Sequence, residues 1–168
     1  IVGGGIMGAS VAYFLAQLGV RSTLLEAEAV ACGASGRAAG IIGPAGAHPC
    51  SVAATHELQN VSWALHRSHL PARLRDYGFV AMPSLSIALR PEERGAAEQR
   101  LESARAAGIA ARWVAPTELR ALVPQLSLTP GCAGAALVET GGQLQPGPFT
   151  HALLAGAGSA CTVRQGRA

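Results

Sequence analysis

A chain of 168 residues, 49% apolar and only 14% charged, has the length of one domain and enough apolar surface for a core. All 13 basic residues are arginines, scattered to a net charge of +3, and aromatics make up only 4%, so a nucleic-acid surface is disfavoured and a Schiff-base or P-loop lysine is excluded from this segment. No run of about 18 apolar residues occurs and no signal peptide is recognisable, so no membrane span is expected.

The chain begins at Ile1 without a methionine. Only Ile1 and Val2 precede a glycine-rich turn, whereas a buried strand usually has about 5–6 residues, so a few upstream residues are expected. The turn is G-x-G-x-x-G at Gly3, Gly5 and Gly8. In such a turn the first glycine allows the tight exit from a strand, the second admits a pyrophosphate close to the backbone, and the third lets the next helix pack on the sheet. Ile6, Ala9, Tyr13, Ala16 and Gln17 follow helical spacing, and Val11, Phe14, Leu15 and Leu18 fill most of the remainder. A helix so apolar is expected to be buried on nearly every side, with Gly19 as its C-terminal cap. Its N-terminus presents free N–H groups and a positive dipole end to a phosphate.

Val20 to Leu25 reads as a short buried strand, and Glu26 follows it, 18 positions after Gly8. The dinucleotide fingerprint expects an acid about 20 residues on, accepting hydrogen bonds from ribose hydroxyls and disfavouring a 2′-phosphate. With 21 glycines in the chain, a turn alone is weak evidence; strand, turn, helix and acid in this order carry the inference. A second glycine loop, Cys32 to Ile42, is built of small residues that let a flat ligand lie on the backbone. In it Ser35 can cap the next element or bond a phosphate or ribose, and Arg37 can pair with a pyrophosphate.

Residues 51–76 read as helix interrupted near Pro71. Phe79–Met82 and Leu85–Leu89 read as short strands. Pro91, with Glu92 and Glu93 in the first turn, opens a helix to about Ala107 that Gly108 caps. Trp113 and Val114 form a brief strand, Thr117 caps the helix ELRAL, and Ala133–Glu139 is another strand. Pro146 and Pro148 open a last helix, weakened by Gly156 and Gly158, before a strand around Cys161–Arg164. The four cysteines (Cys32, Cys50, Cys132 and Cys161) form no C-x-x-C and read as reduced thiols of a cytoplasmic protein. Among the histidines, His66 and His69 are spaced to share a helix face and read as surface residues; no metal set is recognisable.

The pairing of GGGIMG and its acid with ASGRAAGIIGP resembles the FAD-dependent oxidoreductases of the D-amino-acid oxidase superfamily, which includes glycine oxidase, sarcosine oxidase and D-amino-acid dehydrogenases. ELRALVPQL (118–126) and GGQLQP (141–146) are similar to phrases of that family's substrate domain and of its return to the cofactor domain. The resemblance implies an α/β fold: a Rossmann-like FAD-binding domain with an inserted α+β substrate domain, incomplete in this chain. Its parts would be 1–77 and 143–168 for FAD, and 78–142 for substrate. By position, Gly3, Gly5, Ile6, Met7 and Gly8 would meet the pyrophosphate and Glu26 with Ala27 the ribose. Ala34, Ser35, Arg37, Ala39, Gly40 and Ile41 would lie along the cofactor. Arg37 and His48 would fall near the flavin, but no catalytic residue is assigned, because the family's substrate-binding groups mostly come from its second half. The implied partners are a small amine or amino acid (glycine, sarcosine or D-amino-acid type) and oxygen or a quinone as electron acceptor; oligomeric state is left open. Two alternatives stand beside this reading: a nicotinamide-dependent dehydrogenase, and a truncated fragment that does not bind cofactor alone.

Overall fold

The computed structural model describes residues 1–47, 53–74 and 77–166, so His48, Cys50 and Arg75 lie outside the described residues. In chain order the main elements are α1 (Ile6–Gln17), β1 (Ser22–Glu26), α2 (Ala34–Arg37), α3 (His56–Ala64), a π-helical turn (Leu65–His69) and α4 (Leu70–Arg73). There follow β2 (Ser84–Ala88), α5 (Arg94–Ala106), β3 (Ala111–Val114), α6 (Pro116–Leu122), β4 (Gly134–Val138), α7 (Pro146–Ala157) and β5 (Cys161–Gln165). The chain forms two compact units, one of Ile1–Ile41, Leu65–Val80 and Gln143–Ala168, the other of Ile42–Ala64 and Ala81–Gly142. The sequence division at 77/78 places 42–64 with the cofactor segment, whereas their contacts group these residues with the second unit.

The first unit has a parallel sheet. β1 pairs with β5 from Ser22↔Cys161 to Glu26↔Gln165, and Val2 bridges in parallel to Leu25. Parallel neighbours need a long crossover, and α1 provides it between Val2 and β1. Gly19, with φ of 75°, takes the left-handed conformation that ends α1 as expected. Ala9, Ala12 and Tyr13 of α1 are buried. Where α1 meets α7, a methyl at Gly156 would stand 2.7 Å from Leu74 Cδ2 and 2.9 Å from Tyr13 Cε2. The glycine that costs a helix about 1 kcal/mol is therefore what lets these elements approach. The expectation that α1 is buried all round does not hold. Met7 and Leu18 are 78% and 77% exposed, and Val11 and Phe14 are also open, because the covered flank is the one facing α7 and the sheet.

His66 is buried, which corrects its assignment to the surface; His69 is half-buried. The π turn shifts the helix phase just before Pro71, whose ring and missing N–H are incompatible with a regular bond to the Arg67 carbonyl. The His66 ring centroid lies 5.0 Å from that of Phe149, 6.1 Å from Phe79 and 6.4 Å from Tyr77. Burial holds the imidazole below its ordinary pKa of 6.5, and Nδ1 has no hydrogen-bond partner among the described residues. An unfolded chain then takes up the proton first, so stability falls as pH drops below about 6.5 and levels off below the folded value. In urea unfolding of the purified protein at pH 7 and pH 5, His66→Leu is expected to flatten this acid-side loss; an unchanged slope would show that His66 is not its source.

The second unit is an antiparallel sheet in the order β2-β4-β3 with every β4 residue buried. The strand alternates as its period of two requires. Ala136 packs with Ala97 and Leu101 of α5, and Val138 with Ala104, while Ala135 and Leu137 pack with Val114 and Leu119 on the other face. Arg100 of α5 binds the hydroxyls of Ser84 and Ser86 and the Ala47 carbonyl. Pro91 opens a short 3₁₀ turn before α5, and Gly108 follows its end with φ of 72°, as the sequence implied. Thr117 is not a cap: Ala115 holds that position, and Pro116 is the first helical residue.

Candidate functional site

The site grows from the first turn. Gly3 leaves the Val2 bridge with φ of 96°, a conformation open to glycine, and its N–H donates to the Leu25 carbonyl at 2.8 Å. Gly5 is the N-cap of α1, with Ile6 and Met7 in the first turn. Gly8 sits directly on the Gly3 carbonyl, where a methyl would collide with the oxygen. The Met7 and Gly8 amides occupy helix positions that have no intrahelical carbonyl.

Glu26 ends β1 with its carboxylate turned back to the turn. Oε2 accepts from the Gly4 N–H at 2.6 Å and Oε1 from the Glu28 N–H at 2.8 Å. The Glu28 amide first, then that of Gly4, hold the carboxyl below its ordinary pKa of 4.5. Two of the carboxylate's roughly four lone-pair sites are used, so acceptor capacity remains for a ligand. Gly4 is tight as well, since a methyl there would stand 3.0 Å from Glu26 Oε2.

The second glycine loop closes on this corner. Ala31 has φ of 60°, and its N–H donates to the Gly4 carbonyl at 3.1 Å. Ser35, in the short α2, accepts a hydrogen bond from Ile6 N–H at 2.8 Å. Gly40, with φ of 72°, abuts the Leu144 carbonyl, and the Leu144 N–H donates to the Gly40 carbonyl at 2.9 Å.

A cleft of about 330 Å³ lies at this junction. Of the residues singled out from sequence, Gly5, Glu26, Ala27, Ala34 and Ser35 line it. Gly3, Ile6, Met7 and Gly8 shape the turn behind it, while Arg37, Ala39, Gly40 and Ile41 are not in its lining. Arg37, Ala39 and Ile41 are exposed. Sequence reasoning missed Glu28, Ala29, Ala31, Cys32 and Gly33 as lining residues. Only Gly33, inside a run of small residues, carried a signal; alanine gives no sign of a left-handed conformation. The walls offer carboxylate acceptors at one end and a helix N-terminus at the other. That arrangement suits a ligand bearing both a diol and an anion. Among the described residues no group of His, Cys, Asp and Glu suits a metal ion.

The whole chain, residues 1–168, matches the family model described as "DAO: FAD dependent oxidoreductase". It is 34% identical over 158 residues to 4-methylaminobutanoate oxidase (formaldehyde-forming) of Paenarthrobacter nicotinovorans, covering 91% of this chain but 18% of that protein. Among solved structures, glycine oxidase of Geobacillus kaustophilus superposes with a TM-score of 0.86 at 27% identity, covering 98% of this chain and 45% of that one. The FAD-bound L-alpha-glycerophosphate oxidase of Mycoplasma pneumoniae shares the fold, with a TM-score of 0.82 at 22% identity over 98% of this chain and 43% of that chain. The chain thus spans less than half the length of these relatives.

Proposed function

Since the chain belongs to the FAD dependent oxidoreductase family, we propose that it forms the first part of a flavoenzyme acting on an amine or amino acid of the glycine, sarcosine or D-amino-acid type. Its first unit is the start of the FAD-binding domain and its second unit the start of the substrate domain. The single observation that carries the cofactor assignment is the Glu26 carboxylate, fixed by the Gly4 and Glu28 amides at the rim of the cleft.

The residues present fit the ADP half of FAD. Glu26, beside Ala27, would accept from the ribose hydroxyls, and the acidic rim disfavours a 2′-phosphate. The Gly3–Gly8 turn and the N-terminus of α1, with Ile6 and Met7, would hold the pyrophosphate. Ala34 and Ser35 would flank it, while Arg37, Ala39, Gly40 and Ile41 continue the same loop along the cofactor. When bound, FAD supplies the two-electron chemistry by accepting hydride from the carbon beside the substrate nitrogen. This chain's residues bind and orient; none of those described is assigned to contact the substrate.

Oxygen is the favoured electron acceptor over a quinone, since the relatives above are named as oxidases. The unpaired thiols of Cys32, Cys132 and Cys161 favour a reducing compartment, the cytoplasm. No described helix is long and apolar enough to cross a membrane.

Anaerobic mixing of the full-length protein with glycine, sarcosine, 4-methylaminobutanoate and D-alanine in turn tests the substrate class. One of them is expected to bleach the visible flavin absorption. Bleaching by none of these amines, but by an alcohol such as glycerol 3-phosphate, would overturn it.

A further inference from the structure

The second glycine of the turn is usually explained by the ligand, yet here Ser35 of the protein itself already crowds it. Gly5 has φ of −80° and ψ of −175°, a conformation that any residue adopts, so its backbone does not demand glycine. What it lacks is room. A methyl at Gly5 would stand 2.9 Å from Ser35 Oγ, and the next nearest atom within 4 Å is Ser35 Cβ at 3.9 Å. The same oxygen accepts the Ile6 N–H at 2.8 Å across 29 residues of sequence. Ile6 is the first residue of α1, and no side chain from the N-cap residue itself caps the helix. An N-cap serine would accept from the second or third helical amide, whereas Ser35 reaches in from a distant loop to take the first.

We infer that Ser35 is a positioning residue, which caps α1 from the second glycine loop, fixes the spacing between the two loops, and disfavours a side chain at position 5 independently of any ligand. The serine is well placed to hold such a role. Gly36 behind it packs directly on the Ala31 carbonyl, and Ala31 is itself bonded to the Gly4 carbonyl. Both glycine loops are therefore tied at two points, Ala31 to Gly4 and Ser35 to Ile6. With its oxygen engaged by Ile6, the hydroxyl keeps one proton free to donate to an anion at the helix N-terminus. This last consequence rests on the FAD reading; the coupling of Gly5 to Ser35 does not.

A double-mutant cycle separates the two. Gly5→Ala, Ser35→Ala and the double variant are compared by urea unfolding of the cofactor-free full-length protein and by titration with FAD. Gly5→Ala alone is expected to lower the folding equilibrium constant about tenfold or more through overpacking against Oγ. In the Ser35→Ala background the same change should cost less than about threefold, because only a methyl at ordinary contact distance remains. If Gly5→Ala does not fold, the double variant is expected to fold. Equal losses in both backgrounds, or failure of both to fold, would overturn the coupling. Ser35→Ala should weaken FAD about tenfold while Ser35→Thr, which keeps the hydroxyl, stays within about threefold of wild type. Equal affinities of Ser35→Ala and wild type would overturn the positioning role. If wild type binds no FAD, the cofactor reading fails while the unfolding cycle still decides the coupling.

Discussion

Gly8→Ala is expected to destabilise the protein by about 3 kcal/mol and to lower its FAD affinity ~100-fold or more. The added methyl meets the Gly3 carbonyl oxygen, a backbone atom that no rotamer change can move aside. Gly3 is held in turn by its N–H bond to Leu25 and by a φ of 96°. Relief therefore requires α1 to lift from β1, which carries the helix N-terminus away from Glu26. Urea unfolding with and without FAD measures both effects. A variant that unfolds like wild type and still binds flavin would show that the turn is not the anchor of the site.

Glu26→Gln is the second large effect, and it acts on the ligand more than on the fold. The substitution keeps the shape but replaces one acceptor oxygen by an NH₂ group. That group then faces the Gly4 or the Glu28 amide, a donor against a donor. FAD affinity is expected to fall about 10- to 100-fold through the loss of charge-assisted bonds to the ribose. The pH dependence has a definite sign. Because the folded carboxyl lies below its ordinary 4.5, its contribution to stability is present above that value and is lost as pH falls through the folded pKa. Glu26→Gln removes that acid-side component; isothermal titration with FAD and unfolding between about pH 3 and pH 6 read the two consequences.

The parts of the site legible in the sequence are those set by local chain geometry. The glycine turn, the helix after it and the acid closing the next strand each have a periodic or positional sign, and all three form where the sequence places them, although α1 is covered on one flank only. The end of α5 before Gly108 also forms as read, and Pro91 opens the 3₁₀ turn that leads into α5 at Arg94, because proline and glycine constrain the backbone where they stand. The missed features depend on contacts across long stretches of chain. Nothing near Ser35 announces that it caps a helix 29 residues earlier. Nothing in Ala31 announces a φ of 60°; the Gly4 carbonyl and the crowding at Gly36 impose it. His66 shares its helical spacing with His69, but the π turn and three aromatic neighbours decide its burial. Thr117 has the chemistry of a cap, but Pro116 already begins the helix one residue earlier.

The corner formed by the glycine turn, Glu26 and Ser35 is proposed to hold FAD. Titration of the cofactor-free full-length protein with FAD, followed by its visible absorption and thermal unfolding, tests it most directly. A saturable, stoichiometric complex with a perturbed flavin spectrum and a raised Tm is expected, both lost in Gly8→Ala. A protein that ignores FAD and is stabilised instead by NAD would contradict it.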